Sequence, residues 1–184
     1  MKKLQLLILT MAFPISIQSK ASDRLNSQKN FDKFSFAIGV GLDYGGLGGN
    51  FLFCPKKNIG IFAGEGFNLV GFGLNAGLKL RLMAEKPDSK LSPCILGMYG
   101  YNTAILVSNG TQYDKLFYGP TLGIGLDYRF RQEKIGYWSF AILLPIRSSE
   151  VKNYIDELKN DDQINFNNRL CPIGLSIGYR FIID

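Results

Sequence analysis

The chain has no histidine. That removes the side chain most often used as a general base near neutral pH, and a frequent zinc ligand. Cysteine does not take its place. Cys54, Cys94 and Cys171 each adjoin a proline and no CxxC occurs, so neither a metal site nor a fully paired disulfide framework is expected. No nucleophile motif of the GxSxG kind is present, so no catalytic residue is assigned. Gly39-x-Gly41 and Gly123-x-Gly125 imitate nucleotide-binding glycines, but no phosphate-binding helix follows them, so no cofactor is expected either. No run of 18 or more apolar residues exists, which excludes a membrane-spanning helix. Charge is modest as well. Of the formal +6, Lys2, Lys3 and Lys20 fall in a segment read below as a leader, leaving 18 basic residues against 15 acidic ones. A net +3 is too weak to argue for nucleic acid.

What is abundant is glycine, with 21 residues, and Phe plus Tyr, with 14 and 9, beside a single tryptophan. In 184 residues there is room for one domain. Residues 1–21 read as a signal peptide. Lys2 and Lys3 precede an apolar stretch from Leu4 to Ile17, and Ser19-Lys20-Ala21 sets small residues at the −3 and −1 positions of a cleavage site. Residues 22–33 are polar and read as a flexible segment, and 34–184 form the folded domain.

From Phe34 onward, hydrophobicity alternates with period two. Phe34, Phe36, Ile38, Val40, Leu42 and Tyr44 oppose Ser35, Ala37, Gly39, Gly41 and Asp43. The pattern returns over Phe72–Leu82, Tyr118–Phe130 and Ile173–Phe181, with weaker versions at Leu47–Cys54, Ile59–Leu69, Cys94–Val107 and Gly136–Ile146. Strict alternation over such lengths signals strands. Turn residues separate the segments, and eight antiparallel strands suffice to close an up-and-down barrel with no exposed edges.

A soluble barrel alternates too, with its apolar face inward and a charged exterior. Here the less apolar face is mostly glycine with Ser, Thr, Asn and a few charges, which would make a poor water-facing surface. Turned inward, that face suits the narrow interior of an eight-stranded barrel, with glycine making room for the long arms of Lys79, Arg81, Arg129 and Arg180. The bulky face then meets lipid. Phe34 and Tyr44 lie ten residues apart on it, as do Tyr118 and Tyr128, a spacing that projects to about 25 Å on tilted strands. With Trp138, Tyr179 and Phe181 they are assigned to the membrane interface.

The segments Gly41-Leu-Asp-Tyr-Gly-Gly46, Gly77-Leu-Lys-Leu-Arg-Leu82, Gly125-Leu-Asp-Tyr-Arg-Phe130 and Gly178-Tyr-Arg-Phe181 resemble small outer-membrane β-barrel proteins of the Bacteroidetes. In size the chain is similar to OmpA/OmpX-type barrels. The resemblance implies an eight-stranded transmembrane barrel in the outer membrane, with the lipid bilayer and the barrel-assembly machinery as partners. Such barrels usually end on an aromatic residue, whereas here Phe181 is followed by Ile182-Ile183-Asp184.

Two features offer chemistry. One is an inward charge network of Lys79, Arg81, Arg129, Arg131 and Arg180 with Asp127, joined from other strands by Asp43 and Glu65. It reads either as a salt-bridged filling of the lumen or as an anion-selecting conduit. The other is the long connection Arg147–Leu170, in which Val151, Tyr154, Ile155 and Leu158 fall on one face of a helix. With both chain ends periplasmic, this loop is external. Its helix either packs on neighbouring loops or presents a contact surface or lid to a ligand the sequence does not identify. The function expected is non-enzymatic, structural or surface-interacting. A narrow anion channel, a soluble lipid-binding barrel and a lipid-modifying outer-membrane enzyme are the alternatives.

Overall fold

The computed structural model describes residues 32–83, 89–107, 113–130, 135–160 and 170–183. The expected leader, residues 22–31 and Arg131 lie outside these. Eight strands run in order: β1 (Phe34–Gly41), β2 (Gly46–Lys56), β3 (Ile59–Phe67), β4 (Phe72–Arg81), β5 (Leu91–Ile105), β6 (Lys115–Tyr128), β7 (Gly136–Pro145) and β8 (Gly174–Ile182). A 3-10 turn, Leu42–Tyr44, follows β1, and helix α1 (Ser149–Asn160) lies between β7 and β8. Each strand pairs antiparallel with the next, and β8 returns to β1 with Gly39 opposite Gly178, so the barrel is closed. The architecture is the one that period-two alternation predicts.

Alternation also sets which side chains face where. In β3, Ile59, Ile61, Ala63, Glu65 and Phe67 are exposed, while Gly60, Phe62, Gly64 and Gly66 are buried. Around the barrel the outward positions form an apolar belt, from Ile38 and Phe51 through Leu78 and Ile124 to Ile142 and Leu175. The lower rim, where β1 begins and β8 ends, carries a band of touching aromatics. Phe34 stacks on Phe53 with centroids 4.8 Å apart, Trp138 meets Tyr179 edge-on at 5.4 Å, and Tyr179 meets Phe181 at 4.9 Å. Tyr128 sits opposite Trp138 in register. At the upper rim Phe67 and Phe72 meet at 5.5 Å, and the Tyr118 hydroxyl donates to the Phe72 carbonyl at 3.4 Å.

Tyr44 breaks the expectation. It is not an interface residue: β1 stops at Gly41, and Tyr44 lies inside the barrel, 1% exposed. Gly41 (φ 142°) and Gly45 (φ 70°) bracket the turn in backbone conformations that L side chains rarely adopt, which lets the chain fold back into the lumen. The ten-residue spacing from Phe34 to Tyr44 therefore does not mark one outward face.

The upper rim is uneven. Pairing of β4 with β5 ends at Asn75 and Gly100, and pairing of β6 with β7 ends at Thr121 and Pro145. β5 and β6 continue together to Ile105 and Lys115, past a bulge between Tyr101 and Thr103. Their ends form a two-stranded ribbon beyond the barrel wall. Helix α1 packs there: Val151 and Leu158 are buried with Ile105, Val107 and Phe117, and Tyr154, Ile155 and Leu170 cover them. Twelve residues make a marginal helix in isolation, so this burial is what holds it, at about 1.5–3 kcal/mol for each fully buried aliphatic side chain. The Tyr154 hydroxyl donates to the Tyr113 carbonyl at 2.7 Å, and Arg147 Nε donates to Thr103 Oγ1 at 3.2 Å, fixing the loop to the ribbon.

Candidate functional site

Inward side chains of a narrow barrel converge on its axis, so the lumen concentrates whatever chemistry the strands carry. It divides into three layers. At the lower rim is an ion cluster. Lys79 Nζ, on β4, donates to Asp127 Oδ1, on β6, at 2.6 Å, and Ser139 Oγ donates to the same oxygen at 2.9 Å. Arg81 lies one alternation further along β4. Its Nη2 donates to the Tyr137 hydroxyl at 2.5 Å, its Nε is 3.8 Å from Asp127 Oδ2, and its Nη1 is 3.5 Å from Asp32 Oδ2. Arg129, just past β6 and partly exposed, donates to Asp32 and lies over the Tyr137 ring at 4.8 Å. Arg180, on β8, donates from Nη2 to Asn50 Oδ1 at 2.7 Å and from Nη1 to the Asn50 carbonyl at 3.4 Å.

Four of the expected lumen charges, Lys79, Arg81, Asp127 and Arg129, thus meet at one rim, and Arg180 stands beside them on its own partners. Glu65 does not join them. Its parity with Ile61, Ala63 and Phe67 carries it to the exterior, where it is exposed. Asp43 is inside and buried, but it sits in the 3-10 turn at the other end and makes no ion pair among the described residues. Asp32 and Tyr137 were not singled out from the sequence. Tyr137 had a signal, since Trp138, Phe140, Ile142 and Leu144 fix its parity inward. Asp32 had none: it lies in the polar stretch before β1 and is nonetheless buried, with the backbone already engaged at Lys33, whose carbonyl accepts from Cys54 N at 2.8 Å.

The middle layer is apolar. Leu52, Phe62, Leu96, Met98 and Leu143 pack together with Ala141 and the thiols Cys54 and Cys94. A lumen filled by polar and charged side chains was expected, and an apolar cluster occupies part of it. All three cysteines are free.

The upper layer is backbone. The turn Leu42–Tyr44 lies against the glycines of β2, β3 and β4. A Cβ at Gly64 would come 2.3 Å from the Asp43 carbonyl oxygen, one at Gly66 2.3 Å from that of Tyr44, and one at Gly73 2.5 Å from that of Gly45. Asn50 Nδ2 donates to the Asp43 carbonyl at 2.9 Å, and Asn75 Nδ2 donates to the Leu42 carbonyl. Many of these glycines therefore make room for a folded-back peptide, not for the arms of lysine and arginine. The Tyr44 side chain reaches further in, over Gly39 and Gly178, where added Cβ atoms would lie 2.7 Å from its Cζ and 2.3 Å from its hydroxyl oxygen.

Such a lumen is closed at one end by backbone, filled in the middle and ion-paired at the other end. Lys79, Ser139 and Asp127 form the nearest thing to a nucleophile with a base, yet Lys79 and Asp127 are each 3% exposed and bonded to one another. Fold and lumen together define a class: a closed, eight-stranded, up-and-down barrel with an apolar exterior and a filled interior. No family model matches the sequence, and no curated protein matches it at a significant level. Among solved structures, the crystal structure of the N-terminal β-barrel domain of Pseudomonas aeruginosa OprF superposes with a TM-score of 0.50 at 12% identity. The match covers 82% of this chain and 97% of that one, a similarity of fold.

Proposed function

We propose that the chain is an exported outer-membrane barrel, inserted by the barrel-assembly machinery, with a structural or surface-interacting role and no catalytic one. The observation that carries this reading is the belt of large apolar side chains around a closed barrel. Ile124 is 63% exposed, Leu175 72% and Phe72 76%, a surface that water solvates badly and hydrocarbon accepts without cost. Aromatics at both rims support the same placement. With residues 1–21 removed as a signal peptide and both chain ends in the periplasm, the ion-paired rim faces inward and the β5–β6 ribbon with α1 faces out. The apolar middle layer argues against an anion conduit, since a permeant ion would have to cross Leu52, Phe62, Met98 and Leu143.

Fractionation of cells with sequencing of the mature N-terminus tests the location, and heat-modifiable gel mobility scores insertion. Leu78→Arg and Ile124→Arg, each putting a charge into the belt, are expected to cost about 2–4 kcal/mol and to abolish the folded band. Full tolerance of both, or recovery of the protein in the soluble periplasm, contradicts the reading. Steady conductance across a planar bilayer would replace it with the channel.

A further inference from the structure

Exposed charge is divided unequally between the two rims. At the lower rim Lys33, Lys56, Lys57 and Lys90 are exposed and Arg129 is half-buried, while both acidic side chains described there, Asp32 and Asp127, are buried. Lys56, Lys57 and Lys90 make no ion pair with any described residue. The segments outside the described residues that adjoin this rim in sequence, 22–31, 84–88, 131–134 and 184, hold acidic and basic residues in equal number, so they leave the excess standing. Above the upper rim the balance is different. Asp114 and Lys115 on the ribbon, Arg147 and helix α1 together carry acidic and basic side chains in equal number, with Lys115 on Glu150 at 3.2 Å.

The lower cations also share a height. Phe34 pairs with Phe53 and Leu91 with Tyr128 in the lower aromatic band. Lys33 and Arg129 stand one residue beyond that band, the Lys90 carbonyl accepts the Arg129 N–H at 2.8 Å, and Lys56 lies three residues past Phe53. At about 3.3 Å per residue, these positions fall within roughly 10 Å of the rings. Interfacial aromatics sit at headgroup level, and the long stems of lysine carry their ammonium groups into the same layer.

We infer that the lower rim binds the phosphates of anionic phospholipids in the leaflet around it, with Lys56, Lys57 and Lys90 as donors. The inference rests on the membrane reading above, which puts this rim at the periplasmic leaflet, where the lipids are phospholipids. Charge complementarity selects the ligand: an ammonium only donates hydrogen bonds and favours an oxyanion. Phosphatidylglycerol offers a phosphate that no cation of its own neutralises, whereas the ammonium of phosphatidylethanolamine competes with the lysines for the phosphate beside it. An anionic cell-wall polymer fits less well, because the lysines lie against the aromatic band and not on an arm reaching away from it.

The test uses the folded protein in vesicles of phosphatidylglycerol and phosphatidylethanolamine in equal parts, with identical acyl chains. After extraction into mild detergent, the retained lipids are counted by mass spectrometry. Phosphatidylglycerol is expected to be enriched over the vesicle ratio by roughly two- to fivefold, the attraction that one basic side chain near an anionic surface supplies, and less so at high salt. Lys56→Gln, Lys57→Gln and Lys90→Gln combined should return the ratio to that of the vesicle, with heat-modifiable mobility confirming the fold. The same three positions changed to Arg should keep the enrichment, and Lys152→Gln with Lys159→Gln on α1 should leave it unchanged. An inserted barrel with no enrichment, an enrichment that survives the triple Gln variant, or one lost in the α1 variant overturns the site while leaving the membrane reading intact. So does co-sedimentation with purified cell-wall sacculi that the triple Gln variant abolishes while the lipid ratio stays flat, since that gives the rim to the polymer. A protein that stays out of the vesicles altogether overturns both.

Discussion

The two ends of the lumen are sealed by different means. At the lower rim, charged side chains from β4, β6 and the segment before β1 meet and pair, with Lys79 on Asp127 and both Arg81 and Arg129 on Asp32. At the upper rim the chain seals the barrel with itself, by turning Leu42–Tyr44 inward onto glycines. The first seal depends on opposite charges held together, three cations on two carboxylates, and tolerates some play in long side chains. The second depends on glycines cleared for the turn and tolerates little at them, because the atoms an added side chain would meet are backbone. One lumen thus contains a seal vulnerable to loss of an atom and another vulnerable to gain of one.

That contrast can be broken most forcefully at Asp127. Asp127→Ala leaves Lys79 and Arg81 buried without their shared partner, and the expected loss is about 3–5 kcal/mol. Urea unfolding followed by the fluorescence of Trp138 reads it, Trp138 being the only tryptophan. Replacing the pair together, Lys79→Met with Asp127→Leu, should recover most of that loss, and a double variant as weak as the single would show that shape, not charge, makes the lower seal. Next comes Gly66→Val at the upper seal, expected to cost about 1–3 kcal/mol because its side chain meets the Tyr44 carbonyl and not a movable group. The same unfolding curve checks it, and an unchanged midpoint would mean the turn can leave the lumen freely. The smallest effect belongs to Lys115→Ala. Lys115 pairs with Glu150 at 3.2 Å, both exposed, so about 0.2–1 kcal/mol is expected at low salt and less at high salt. A loss as large as that of Asp127→Ala would erase the distinction between buried and exposed pairs.

Much of the wall was legible from alternation alone, because a strand with one apolar face announces its parity with every second residue. The helix stripe Val151, Tyr154, Ile155 and Leu158 was legible for the same reason at a different period, and two of its four members are fully buried. Misreadings arose where residue type was allowed to outweigh position. Glu65 was drawn inward by its charge although Ile61 and Phe67 fix its face outward. Tyr44 was drawn outward by continuing a pattern through Gly41, where the strand ends. The inward turn itself leaves little trace, since a glycine cleared for a backbone looks the same in sequence as one cleared for a side chain. Asp32 was hidden because its partners, Arg81 and Arg129, are distant along the chain and only the closed barrel brings them near.

The inward turn also constrains the order of events during assembly. Tyr44 lies over Gly39 and Gly178, which face each other across the pairing of β1 with β8. That pairing joins the two most distant strands of the sequence, so it is the most expensive loop to close and the natural candidate to form last. Once it has formed, the ring of the barrel offers no lateral opening through which a bulky phenol could enter. Before closure the turn can fold onto the open sheet, with β8 then pairing over a ring already in place; after closure its one way in is the upper mouth that it goes on to seal. Tyr44 so ties the filling of the upper layer to the closing of the wall: a barrel that zips shut with this turn outside retains an unfilled upper layer until the turn folds in through the mouth.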